Sequence, residues 1–277
     1  MEDNHGISER SICVLHLSPH FVVVDKPADV VINTQRPDEH PVTVETLLKR
    51  LHPELVDTGV HHSFRFCHRL DFSTSGVLCL ALHKQSARSA QRAFHQRLAK
   101  KYYVAILEGH VRDDHVLVDS PIGEDKRPQH SHKMCTADKD YCVSPKDAQT
   151  RLLVLWRGLL KGRPATKVLL RPVTGRRHQL RVHCASLGHT IVGDFTYGED
   201  ASSRRMFLHA CRLVLPTEVE TLDVETPDPF AADFDAGSDY GQTVPTASLF
   251  EELEREDCWT KSAFVLGLND TAPKGVN

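Results

Sequence analysis

Short apolar runs separated by polar turns constrain this chain more than any other feature. FVVVDKP (21–27) reads as a buried strand that Pro27 stops. VLCLAL (77–82) is apolar without alternation, as a core strand is. YYVAILEG (102–109) and FLHACRLVLP (207–216) read as further strands. LLVLW (152–156) and TKVLLRP (166–172) read as a strand pair joined by a turn around Gly158–Pro164.

Helical periodicity is sparser. VTVETLLKRL (42–51) has apolar residues at 44, 47, 48 and 51, with Thr43 as N-cap. From Lys84 onward Ala87, Ala90, Phe94 and Leu98 form one apolar face, and basic residues cover the rest. In TGRRHQLRVHCASLG (174–188), Leu180, Cys184 and Leu187 share a face and Gly188 is a C-terminal stop. Residues 124–147 are polar and rich in turn formers, so a long excursion is expected there. Past Phe230 the composition shifts to acids, Ala, Gly and Ser, and 231–277 read as an acidic, flexible tail with one short helix near SLFEELERE. Many short strands among few helices predict an α+β sheet domain rather than regular βαβ winding.

The 277 residues suffice for one large domain or two small ones. No apolar run approaches the roughly 18–20 residues of a membrane span. The start, MEDNHGISER, lacks an apolar signal core and carries early acids, so a cytoplasmic or nuclear location is expected. Eight cysteines are scattered without CxxC spacing, and the histidines show no HExxH, so reduced thiols and no metal site are expected. The net charge of −3 hides an asymmetry. Residues 218–257 hold thirteen acids and one base, which leaves residues 1–217 at +8. A basic body suits a polyanionic partner, though uneven surface charge is common in any class.

Two motifs bear chemistry. In HRLDFSTSG, Asp71 precedes a buried strand, and the hydroxyls of Ser73, Thr74 and Ser75 are placed to hold a turn. Such an aspartate is a nucleophile or base, or it is only a turn cap, the commoner role for an isolated one. A phosphotransferase of the haloacid-dehalogenase type would want a second acid where Ser73 stands, and a glycosidase would want a carboxylate pair. The second motif, RPATKVLLRPVTGRRHQLRVH (163–183), holds six Arg and Lys residues and no acid. Arg177 and Arg181, four apart, would share a helical face, where guanidinium forks suit phosphates or carboxylates. A second basic stretch over 84–112 ends near Tyr102 and Tyr103. One of these rings could stack on a base while the other packs in the core.

HRLDFSTSGVLCLAL resembles the HRLDxxTSGxxxxA signature of the RluA-type pseudouridine synthases. The likeness continues in order through VVVDKPA (22–28), KYYVA (101–105), AQT (148–150), LLRPVTGRRHQLRVH (169–183), GDFTYG (193–198), LHA (208–210) and PDPF (227–230). It spans 12–230, which is then the expected catalytic domain. The resemblance implies a mixed, mostly antiparallel sheet flanked by helices around a central cleft. It also implies isomerisation of uridine to pseudouridine in tRNA, rRNA or mRNA, with no cofactor and no membrane. No obligate protein partner is evident, and a monomer is expected.

Within that resemblance Asp71 matches the catalytic aspartate, and Arg69 matches an arginine that displaces or replaces the flipped nucleotide. Tyr103 matches a tyrosine that stacks under the target uracil. Arg181 matches an arginine that pairs with the aspartate and orients it. The sequence departs from the family at Asp29, usually glycine; at Arg177, usually threonine or serine; and at Thr190, usually proline. The N-terminal RNA-binding module of some relatives is expected to be absent, since 20 residues precede FVVVD. An idle RNA-binding scaffold is the alternative, and the intact Asp71, Arg69, Tyr103 and Arg181 argue against it. The target RNA and uridine stay open, as does the choice between attack on carbon and removal of a sugar proton.

Overall fold

A computed structural model describes residues 11–198, 203–230 and 245–261. The chain begins with β1 (Cys13–Leu17) and β2 (Phe21–Lys26), followed by α1 (Val44–Leu51). Thr43 caps α1 as expected: its hydroxyl accepts from the Thr46 amide, and the Thr46 hydroxyl accepts in return from the Thr43 amide. Next come β3 (Arg65–Phe66), β4 (Ser75–Ala81), α2 (Lys84–His95) and β5 (Lys100–Glu108). Then follow β6 (His115–Asp119), β7 (Ile122–Asp125), β8 (Met134–Thr136) and β9 (Cys142–Lys146). The long hairpin β10 (Gln149–Leu160) and β11 (Arg163–Pro172) leads into α3 (Gln179–Ser186). The described chain ends with β12 (Leu208–Pro216), β13 (Thr221–Glu225), α4 (Ala247–Glu254) and β14 (Thr260–Lys261).

Among the described residues, eleven strands form one sheet, whose main path runs β1-β2-β4-β12-β5-β11-β10-β6-β14. Pairing is parallel between β12 and β4 and between β14 and β6, and antiparallel elsewhere in the sheet. This is the expected α+β class. The continuous apolar run of β4 is explained by cover on both faces. Leu78 and Leu80 join α1 residues Leu47 and Leu48 in one apolar cluster. Val77, Cys79 and Ala81 join Ala90 and Ala93 of α2 in another. No described helix is long and apolar enough to cross a membrane.

Four expectations change in detail. The excursion at 124–147 is built, not loose: β8-β7-β9 form a small separate sheet. The β10–β11 connection is only Lys161 and Gly162, both with positive φ of 50° and 76°. That twist matches a tight hairpin, so Gly158 and Pro164 lie inside the strands. Helix α2 stops at His95, and the left-handed Arg97 turns the chain so that Leu98 is exposed rather than on the buried face. Part of the stretch read as a tail returns to the sheet, where α4 buries Phe250 and Leu253. Residues 231–244 and 262–277 of that stretch lie outside the described residues.

Candidate active site

A cleft of about 580 Å³ opens between the loop before β4, strand β5 and the segment from β11 to α3. Arg69, Asp71, Tyr103 and Arg181 all line it, so the four sequence-predicted residues converge although 112 positions separate the outermost two. Arg69 is exposed at this cleft.

The Asp71 loop is held from several sides. The Thr74 amide donates to the Asp71 carbonyl at 3.1 Å and closes a turn. Buried Lys26 donates from Nζ to the carbonyls of Pro27, Val30 and Phe72 at 2.8, 2.7 and 2.9 Å, which ties the residue after Asp71 to the end of β2. Ser75, expected to bond the turn, instead contacts His209 Nδ1 at 2.8 Å and accepts from Arg205 at 2.5 Å. Gly76 has φ of +111°, and a Cβ there would meet the Ala210 carbonyl at 2.2 Å. The close approach of β4 to β12 therefore requires glycine. His68, inside the HRLD motif, accepts from the Cys79 amide at 2.9 Å. Burial holds its pKa down to about 3, so this histidine is a neutral structural group.

Arg181 is the electrostatic centre. Its Nε and Nη2 donate to the two oxygens of Asp194, each at 2.7 Å, in a buried bidentate pair. Its Nη1 faces Asp71 Oδ2 at the longer distance of 3.4 Å. Burial pulls against the arginine's charge, but the Asp194 bonds and charge outweigh it and raise its pKa. Arg181 is thus clamped by Asp194 and presents its remaining nitrogen to Asp71. Asp194 is fixed in turn, since its Oδ1 accepts from the amides of Thr196 and Tyr197 at 3.0 and 3.3 Å. Arg181 also lies over the Tyr197 ring, 5.1 Å from its centroid.

Tyr103 lines the cleft, and Tyr102, its neighbour, does not. Burial and then the nearby Asp71 charge raise the Tyr103 hydroxyl's pKa, so it stays neutral at physiological pH. Lys101 also lines the cleft, and its Nζ donates to the Thr174 carbonyl at 3.4 Å. Burial, with Arg171 nearby, lowers its pKa to about 8.

The departures from the family pattern have structural accounts. Asp29 has φ of +56°, a left-handed backbone that glycine adopts freely and aspartate tolerates. Thr190 donates to Glu108 Oε2 at 2.6 Å, a bond proline could not make. Arg177 is not on α3, because the left-handed His178 at φ of +55° separates it from the helix that begins at Gln179. The shared helical face expected for Arg177 and Arg181 is therefore not formed. Arg177 donates to the His132 carbonyl at 2.9 Å and ties the cleft wall to the small sheet.

Sequence reasoning missed Lys26, His178, Asp194 and Tyr197. All four lie inside quoted motifs, VVVDKPA, GRRHQ and GDFTYG, and motif membership was their only signal. Among the described residues, no group of three or more His, Cys, Asp or Glu side chains is arranged to hold a metal.

Comparisons with known proteins give the family. The family model for RNA pseudouridylate synthase matches residues 20–186. RNA pseudouridylate synthase domain-containing protein 1 from Homo sapiens is 45% identical over 233 residues, covering 83% of this chain and 74% of that protein. Dual-specificity RNA pseudouridine synthase RluA from Escherichia coli (strain K12) is 34% identical over 218 residues, covering 78% of this chain and 91% of that protein. Among solved structures, Human RNA Pseudouridylate Synthase Domain Containing 1 superposes with a TM-score of 0.74 at 40% identity, covering 89% of this chain and 96% of that one. Human RNA Pseudouridylate Synthase Domain Containing 4 gives 0.60 at 27% identity, covering 78% and 88%. The chain belongs to the RNA pseudouridylate synthase family. It is a pseudouridine synthase, an isomerase.

Proposed function

We propose that this enzyme isomerises uridine to pseudouridine within a structured RNA, with Asp71 as its catalytic residue. One observation carries the assignment: Asp71 lies in the cleft with Oδ2 facing an arginine that is itself clamped by a buried aspartate. A carboxylate so oriented can act on a sugar at its free oxygen.

The reaction breaks the bond from the anomeric carbon to N1, turns the uracil over, and joins that carbon to C5. The C5 proton leaves and N1 gains one, so the product is an isomer of the substrate. Asp71 either attacks the anomeric carbon or removes a sugar proton, and both roles use the same ionised oxygen. Tyr103 provides a flat neutral ring for the extruded uracil, and Arg69 fills the stack that the base vacates. Taking the base from its stack costs about a few kcal/mol. The cationic lining of Arg69, Lys101, Arg176 and Arg177 offsets this through phosphate contacts.

The test is Asp71→Asn. The variant should melt like the wild type and form no pseudouridine. A pseudouridine map of cellular RNA, compared between wild type and variant, would identify the RNA as well. Wild-type pseudouridine formation by a folded Asp71→Asn protein would overturn the role of Asp71.

A further inference from the structure

Asp71 has a second neighbour besides Arg181. His178 stands at the N-cap of α3 with φ of 55° and ψ of 19°. A left-handed backbone is costly for a residue with a Cβ, and such positions gather at functional sites. The strain does not serve helix capping, because the side chain makes no cap hydrogen bond. Instead the ring bridges two groups. Its Nδ1 lies 2.9 Å from the Tyr197 hydroxyl, and its Nε2 lies 4.0 Å from Asp71 Oδ2.

The hydrogen-bond pattern assigns the ring's proton. The Met134 amide, which can only donate, donates to the Tyr197 oxygen at 2.9 Å. The phenolic oxygen already accepts once, so donating its proton to its other neighbour, His178 Nδ1, uses both of its hydrogen-bonding roles. Nδ1 accepts, so a neutral ring carries its proton on Nε2, the nitrogen that faces Asp71. Burial keeps the ring neutral by pulling its pKa down to about 4, against the opposing influence of Asp71. Tyr197 is well placed to set this tautomer, since its ring meets His178 edge-on at 5.8 Å and lies beneath the Arg181 guanidinium.

We propose that His178 is a positioning residue for Asp71: Tyr197 fixes it as the Nε2–H tautomer, and that N–H closes onto Oδ2 when RNA enters the cleft. The proposal rests on Asp71 being catalytic. At 4.0 Å the two atoms are about 1 Å beyond hydrogen-bond reach, a gap that a small ring shift closes, and catalytic hydrogen bonds tighten in the reacting complex. With Arg181 and His178 both on Oδ2, Oδ1 is left for the sugar. A neutral donor orients the carboxylate without placing a second full positive charge against it.

Two substitutions separate orientation from folding. His178→Asn tolerates the left-handed backbone and keeps a polar group near Nδ1, but it is too short to reach Asp71. His178→Gln extends an amide N–H toward the Nε2 position. The assay is single-turnover release of tritium from C5-tritiated uridine in total cellular RNA taken from cells that lack the protein. His178→Asn should lower the saturating rate by about 10- to 100-fold. The concentration for half-maximal rate should stay unchanged, and His178→Gln should recover most of the loss. Nitrogen-15 NMR of the full chain should show His178 protonated at Nε2 alone.

A proton on Nδ1, a wild-type rate for folded His178→Asn, or a His178→Gln protein no faster than His178→Asn would each overturn the proposal. Asp71→Asn, run in parallel, keeps the two claims distinct. If it is silent while His178→Asn is fully active, only the role of His178 falls. If it is active, the Asp71 assignment falls first.

Discussion

Strand β5 carries the same two residue types toward both of its faces, and the faces have opposite fates. Lys101 and Tyr103 line the cleft. Lys100 and Tyr102, one residue out of phase, meet helix α4. There Glu254 pairs with Lys100 at 3.1 Å, accepts from the Tyr102 hydroxyl at 2.8 Å and forms an ion pair with Arg171. Tyr102 packs against Phe250, with ring centroids 4.8 Å apart. On the cleft side the lysine's hydrogen bond among the described residues is to a carbonyl at 3.4 Å, and the tyrosine ring borders the cavity. A Lys–Tyr pair is therefore structural where an acidic helix neutralises it and available to a substrate where no described acid pairs with it. The acidic stretch is not inert, because within 247–254 it closes the back of the sheet and leaves the cationic front open.

Mirrored substitutions test this contrast. The largest effect is expected on the closed face. Tyr102→Ala should cost about 3–5 kcal/mol of stability, read by chemical denaturation, with near-normal turnover in the protein that remains folded. Tyr103→Leu should do the reverse. It retains bulk but loses about 1–3 kcal/mol of stacking on a base, which is roughly a 5- to 150-fold slower rate with little change in melting. If both variants lose stability and activity in parallel, the division between faces is wrong.

Glu254→Gln is next, at about 1–2 kcal/mol, kept modest because Lys100 is partly solvated. Charge and hydrogen bonds from Tyr102, Arg171 and Lys100 outweigh burial and hold the Glu254 carboxyl below its usual pKa. Its contribution is therefore present above the unfolded-state pKa and lost as pH falls through the lowered folded value, and the Gln variant should lack this loss. The smallest effect concerns Lys101. With its pKa lowered to about 8, it is charged below that pH and neutral above it. RNA affinity should weaken a few-fold as pH rises from 7 to 9, and the salt dependence should lose about one phosphate contact. Lys101→Met should bind weakly throughout and show no such step. A step that survives in the Met variant would place the titration elsewhere.

Much of this was legible in the chain because it depends on neighbours in sequence. Apolar runs located β2, β4, β5, β10, β11 and β12, since burial of a strand is written in consecutive residues. Thr43 announced the start of α1 because capping is local. The short strands β7, β8 and β9 were not legible, because a strand of three to five residues carries too little apolar pattern to separate from a loop. In the site, motif resemblance brought out Asp71, Arg69, Tyr103 and Arg181, and all four meet at one cleft. It named Asp71 as the partner of Arg181, but the shorter bonds go to Asp194, thirteen residues further on in a loop.

The sequence by itself thus determined the class of fold, the family and the residues that converge on the cleft. Period-two alternation even required Tyr102 and Tyr103 to face opposite ways. The motif resemblance picked Tyr103 for the cleft, but what covers Tyr102 on the other face was decided only by tertiary structure, through an acidic helix some 150 residues away that folds back over it. The tautomer that we assign to His178 is likewise set by Tyr197 and Met134, which come from separate loops and strands. Local patterns record what a residue prefers, whereas the pairing of distant charges and hydrogen bonds depends on which surfaces the packed chain brings within about 3 Å of one another.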